Sequence, residues 1–140
     1  MKLIGEKMRM IQIWKAEKSV PVTPVRMKEG TDFETLKEGD LVKVSGTSRG
    51  LGFQGVVKRY GFHGGPKSHG QKDRLRAPGS NGPTAPQRTI KGRRMAGHTG
   101  NVRITTRNLE VMEIKKDERL ILVKGAVPGF AGGKIEIAKI

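Results

Sequence analysis

Gly50, Gly52 and Gly55 stand at G-x-G-x-x-G spacing inside "GTSRGLGFQGVVKRYGFHGGPKSHG" (46–70), and Val57 extends the match to a kinase-like glycine loop. Glycines at this spacing let a backbone close tightly over phosphates, so nucleotide chemistry is the first reading to weigh. A dinucleotide site needs a strand–turn–helix frame with an acid about 20 residues further on. Asp73 stands near that distance, but in "SHGQKDRLRAPGS", which has no strand pattern. A kinase needs a catalytic loop and metal-binding aspartates downstream, and this chain has neither. "GGPKS" (64–68) resembles the end of a phosphate loop, yet Pro66 separates Gly65 from Lys67 and removes one cradling N–H. The match follows from glycine density, and no nucleotide cofactor is expected.

The histidines are the next candidates. His63, His69 and His98 have no cysteine and only one nearby acid, Asp73, to share a metal with or to polarise them. No metal site and no catalytic residue are expected. A small nuclease built on His63 or His69 is a rival reading, and the plainer one is stacking or hydrogen bonding to RNA, or simple solvent exposure.

Those surroundings are strongly basic. The 140 residues carry 28 Lys+Arg against 13 Asp+Glu, a net charge of +15. The excess is concentrated: residues 43–107 hold 14 basic side chains and the single acid Asp73, whereas residues 1–42 and 108–140 are each close to neutral. Such a field attracts polyanions, nucleic acid foremost. Thirteen of the 20 glycines lie in the same stretch, where they allow a backbone to approach phosphates closely. The run 88–107 carries Arg88, Lys91, Arg93, Arg94, Arg103 and Arg107 with no acid, and arginine's planar fork suits phosphates and base edges. Phe53, Tyr60 and Phe62 are the only local aromatics, too few for a base-stacking platform, so structured RNA met through phosphate and shape is expected.

The flanks must hold this segment in place, and they have β character. "MRMIQIW" (8–14) and "SVPVTPV" (19–25) are short and largely apolar or β-branched, and "DLVKVS" (40–45) and "KIEIAKI" (134–140) alternate apolar and polar residues. "NLEVMEI" (108–114) and "RLILVKG" (119–125) read as a hairpin around "KKDE", with either Met112 or Glu113 continuing the buried face. "TDFETLKEG" (31–39) is expected to form one helical turn, capped by Thr31 or Asp32 and stopped by Gly39. Helical periodicity is otherwise absent. From about Gly61 to Gly100 no periodic pattern exists, and the composition predicts a segment that orders against an anionic partner. The expectation is a mostly β chain with a small, closed barrel, because closure removes exposed edges. With no cysteine and no apolar membrane span, and with charges interrupting "MKLIGEKMRMIQIW", a reducing compartment without secretion is expected: the cytosol or an organelle that makes its own proteins.

"VKVSGTSRGLGFQGVVKRYGFHGGPKSHG", "RAPGSNG", "KGRRMAGHTGN" and "LILVKGAVPGFAGG" resemble the L-three family of large-subunit ribosomal proteins in its bacterial or organellar form. The resemblance runs almost continuously from Asp40 to Gly133, and "GEKMRMIQIW" and "SVPVTPV" are similar to the family's first two strands. It implies a translation-protein-type β-barrel from residues 1–45 and 101–140, and a basic extension over 46–100 that reaches through large-subunit rRNA toward the peptidyl transferase centre. It further implies a non-enzymatic structural role, early assembly, rRNA and neighbouring ribosomal proteins as partners, and no membrane or small-molecule substrate. The RNA-facing positions it implies are Lys58, Arg59, His69, Arg74, Arg76, Lys91, Arg93 and Arg94, and His63, Lys67, Arg88, His98 and Arg103 in and beside the same basic stretch are expected to join them. The tip nearest the catalytic centre is Asn81, Gly82, Pro83, Thr84, Ala85, Pro86 and Gln87. Between Arg26 and Thr31 the family's long insertion is nearly absent, and "GSNGPTAPQRT" lacks the Gln-rich tip that is methylated in some members. The rival from a different class is a free-standing RNA-binding factor or RNA chaperone.

Overall fold

The computed structural model describes residues 2–28, 30 and 35–140. The chain divides into two compact units, one formed by residues 1–49 and 101–140 and the other by residues 50–100.

The first unit is built from strands β1 (Leu3–Lys7), β2 (Ile11–Lys15), β3 (Lys18–Met27), β4 (Leu41–Thr47), β7 (Arg103–Lys115), β8 (Leu120–Lys124) and β9 (Lys134–Lys139). All pair antiparallel, in the order β1-β9-β4-β7-β8-β3-β2, and an additional β1–β3 pairing closes six of them into a barrel. Alternation fills the interior: Val42 and Val44 of β4, Ile135 and Ile137 of β9, and Ile121 and Val123 of β8 are fully or almost fully buried in one cluster with Leu3, Val25, Met27 and Val111. The seam depends on Gly5, which lies opposite Met27 on one side and Ile135 on the other. A Cβ there would stand 2.6 Å from Val25 Cγ1 and 2.8 Å from the Arg26 carbonyl oxygen.

Strand β3 changes partner along its length, pairing with β2 through residues 18–22 and with β1 through 25–27. Pro24 stands at the changeover. Its carbonyl accepts from Met8 N–H at 2.9 Å, so the N–H that proline lacks would face the gap between the two partner strands. Outside the barrel, Ile13 and Val20 of the β2–β3 hairpin pack against Val22, Met112 and Leu122.

Several expectations need adjustment here. Strand β1 is separate from β2, and β7 starts five residues before Asn108. The alternation question at Met112 and Glu113 is answered by a register shift against β8 between Val111 and Glu113. This bulge lets Val111 enter the barrel core while Met112 is buried in the second cluster. The proposed helical turn falls largely on residues 31–34, which lie outside the described residues. Beyond them, Leu36 is buried against the core, and Gly39 has the left-handed φ of 85° that suits a stop.

Three carboxylates of the barrel unit are matched by cations, and the Arg103–Glu136 pair reaches across β4 from β7 to β9. Asp40 accepts from Lys139 at 2.6 Å, Glu110 from Lys124 at 2.9 Å, and Glu136 from the Arg103 guanidinium at 2.7 and 3.2 Å. These hydrogen bonds hold each carboxyl below its ordinary value. A depressed folded-state pKa contributes stability above the unfolded value that is lost as pH falls through the folded one. The pairs are exposed, so the effect is small. The melting temperature is expected to decline as pH drops below about 4, and less steeply in Glu136→Gln. Thermal scans across that range check this; parallel curves for the two proteins would count against a role for the Arg103–Glu136 pair.

Candidate nucleic-acid interface

Residues 50–100 contain β5 (Gly52–Gln54) and β6 (Gly97–Thr99), paired antiparallel, and one short helix, α1 (Val56–Tyr60). Neither the helix nor the two-stranded ribbon was expected from the sequence, since five residues between glycines display no period. The glycines that prompt a nucleotide reading serve this local frame. Gly52 takes a φ of 67° within β5, and Gly55 is the extended N-cap residue of α1, with no side-chain cap. Gly61 ends α1 in the left-handed conformation, its N–H donating to Val57 O at 2.9 Å. Gly55 and Gly61 thus bound a helix of only five residues.

Beyond α1 the backbone is irregular until β6, yet it is cross-tied. Gly65 N–H donates to Leu75 O at 2.9 Å, and at Gly64 a left-handed φ of 75° meets so close an approach of the Leu75 carbonyl that no Cβ fits. Arg59 donates to Met95 O at 2.9 Å, and Gly97 makes room for it, since a Cβ there would lie 2.5 Å from the Arg59 guanidinium. Arg93 donates to Ser80 O, and Arg88 N–H to Pro86 O at 2.7 Å. The peptide bond between Ala85 and Pro86 is cis.

This unit carries ten basic side chains and one acid, Asp73. Its predicted RNA-facing residues are distributed over the whole of it: Lys58 and Arg59 on α1, His63, Lys67, His69, Arg74 and Arg76 in the first irregular stretch, Arg88, Lys91, Arg93 and Arg94 in the second, and His98 on β6. All are exposed except the half-buried Arg59. The tip residues Asn81–Gln87 are exposed as well, and 81–83 and 86–89 surround a shallow cavity of about 290 Å³. Arg103 differs. It lies on β7 in the barrel unit, and Glu136 already occupies its guanidinium. Among the described residues no three His, Asp or Glu side chains converge in a way that could hold a metal ion.

Lys72, outside the predicted set, is exposed in the same unit. The aromatics are few but clustered. The rings of Tyr60 and Phe62 lie 6.3 Å apart, tilted by 43°. The Arg59 and Arg94 guanidiniums stand 5.0 and 5.5 Å from the Tyr60 ring centre, within cation–π range. Scarcity in the composition conceals this clustering; the signal available was the Tyr60-x-Phe62 spacing itself.

A sequence model of ribosomal protein L3 matches residues 18–127, well over half of the chain. The chain belongs to the ribosomal protein L3 family. That family is a structural component of the ribosome and not a family of enzymes. Among curated relatives, the large ribosomal subunit protein uL3 of Chloroherpeton thalassium is 57% identical over 103 residues, covering 73% of this chain and 50% of the relative. The same protein of Herpetosiphon aurantiacus is 43% identical over 132 residues, 94% of this chain and 62% of the relative. That of Dehalococcoides mccartyi strain BAV1 is 56% identical over 119 residues, 84% and 58% of the two chains. The chain thus spans between half and 62% of the length of these relatives, in keeping with a middle region shorter than the family's. No helix among the described residues is long and apolar enough to cross a membrane.

Proposed function

We propose that this chain is a structural constituent of the large ribosomal subunit that binds large-subunit rRNA through residues 50–100, supports early assembly and buttresses the peptidyl transferase centre with its 81–87 tip. It works in the cytoplasm as part of the ribosome, beside other large-subunit proteins. The observation that carries this reading is the exposed unit with ten basic side chains and one acid, in a chain of the L3 family. With so little acid of its own, the unit presents its donors outward, and phosphate oxygens are the acceptors that match them. The glycines permit backbone conformations and close approaches that side chains would block, which suits a chain threading between RNA helices.

The tip reading is tested by Arg93→Ala combined with Arg94→Ala. Arg93 fastens the residue just before the tip through Ser80 O, and Arg94 lies over Tyr60. Both belong to the unit that excludes the barrel core, so the thermal unfolding of the barrel is expected to stay nearly unchanged. Each lost charge-assisted contact to RNA is worth on the order of 1.5–3 kcal/mol. Reconstituted large subunits carrying the double variant are expected to form in low yield or to transfer peptides slowly. Normal yield together with a normal rate would remove this stretch from the functional surface.

A second reading, a free-standing RNA-binding factor, draws on the near-absence of the family's insertion between Arg26 and Thr31. It shares the RNA surface and differs in where the protein resides.

A further inference from the structure

The chemistry of one cavity goes beyond phosphate attraction. About 560 Å³ in volume, it lies wholly within residues 60–94 and is walled by Tyr60, Phe62, His63, Gln71, Arg74 and Arg94 together with glycine and proline backbone. That volume is in the range of pockets that take a single small ligand. Two aromatic rings at 6.3 Å and a tilt of 43° form an apolar wall, and Arg94 stands over one of them. Arg59, the other cation on Tyr60, is absent from the cavity wall and is committed to Met95 O. Gln71 and His63 add donors and acceptors at the wall. The frame is fixed by backbone: the left-handed cap at Gly61 turns the chain between the two aromatics, and the Gly65–Leu75 hydrogen bond ties the two sides.

We propose that this cavity takes one unpaired nucleotide of the bound RNA, its base against the Tyr60–Phe62 wall and its phosphate beside Arg74 and Arg94. The proposal rests on the rRNA-binding reading and narrows it. Bases inside a helix have both faces stacked and cannot enter, whereas a bulged or looped-out nucleotide offers a free face to aromatic rings and guanidinium planes. The basic surroundings select an anionic chain over a neutral peptide. The aromatic pair therefore makes this a one-nucleotide site within a surface that otherwise meets phosphates.

The test uses the full chain and large-subunit rRNA, with filter retention for total binding and ultraviolet cross-linking followed by mass spectrometry for position. The expected result is a nucleotide cross-linked at Tyr60 or Phe62. Phe62→Ala should weaken retention by roughly fivefold to a hundredfold, the range for losing one base stack. Its salt slope should be unchanged, because no charge is removed. Circular dichroism should show an intact barrel in Phe62→Ala. Cross-links confined to residues outside the cavity, or Phe62→Ala binding within about twofold of wild type, would overturn the site while leaving rRNA binding standing. Failure of the wild-type chain to retain rRNA would overturn both. A free mononucleotide that cross-links to Phe62 as efficiently as the RNA would assign the cavity to free nucleotides and overturn its RNA assignment.

Discussion

Gly5→Val is expected to destroy the barrel, leaving a chain that is insoluble or melts far below the wild type. Gly5 is buried on the strand that closes the sheet, between Met27 of β3 and Ile135 of β9. A Cβ would stand 2.8 Å from the Arg26 carbonyl oxygen, and that atom is backbone already committed to the β1–β3 ladder. Val25 Cγ1, at 2.6 Å, belongs to a fully buried side chain with nowhere to rotate. Overpacking a core commonly costs about 1–3 kcal/mol, and valine adds two further methyl groups to a contact that a single carbon violates. In a domain of this size each kcal/mol moves the melting point by roughly 4–8 °C. A fall of at least about 10 °C is therefore expected, with Gly5→Ala intermediate. Melting curves decide it, and a Gly5→Val protein within a few degrees of wild type would mean that the β1–β3 seam does not close the barrel.

Affinity for rRNA is expected to collapse as salt rises. If six to ten of the basic side chains meet phosphates, binding should weaken by roughly 10³–10⁵ between about 50 and 200 mM salt. Arg59 and Arg93 each spend a donor on a carbonyl of their own unit, but neither charge is neutralised, because carbonyls accept without compensating it. Arg103 contributes little, since Glu136 already pairs with it. Arg74→Gln with Arg76→Gln should lower the slope of log affinity against log salt by about 2. Filter binding over a salt series measures this. A flat dependence would mean that residues 50–100 do not act through charge.

Much of the barrel is legible in the sequence because its strands alternate. "DLVKVS" and "KIEIAKI" announce β4 and β9, and the buried Val42, Val44, Ile135 and Ile137 are the residues that alternation selects. Strand β1 is not legible, because glycine replaces a side chain at position 5 and the charged Lys7 occupies the next inward position. Lys7 is nonetheless held: its ammonium donates to Val127 O at 2.7 Å and Gly129 O at 2.8 Å, bonds that only long-range folding creates. Partial burial, reinforced by Arg49, pushes its pKa down. The same limit hides the Arg103–Glu136 pair, 33 residues apart, and leaves Arg103 grouped with the free cations. For the basic unit, composition leads to the expectation of a polyanion partner but says nothing of how residues 59, 60, 62 and 94 cluster. Helix α1 is invisible because amphipathic period needs more than five residues to show itself.

Membership of the large subunit is the central claim, and sedimentation tests it most directly. Extract from cells making the tagged chain is layered on a sucrose gradient, and the large-subunit fraction is then washed at high salt. Free rRNA binding is expected to be salt-sensitive, but a chain built into an assembled particle would be held at many contacts at once and would not leave one contact at a time. The chain is expected to co-sediment with large subunits and to stay with them through the wash. A chain found at the top of the gradient, or stripped by the wash while the other large-subunit proteins remain, would contradict a structural place in the ribosome.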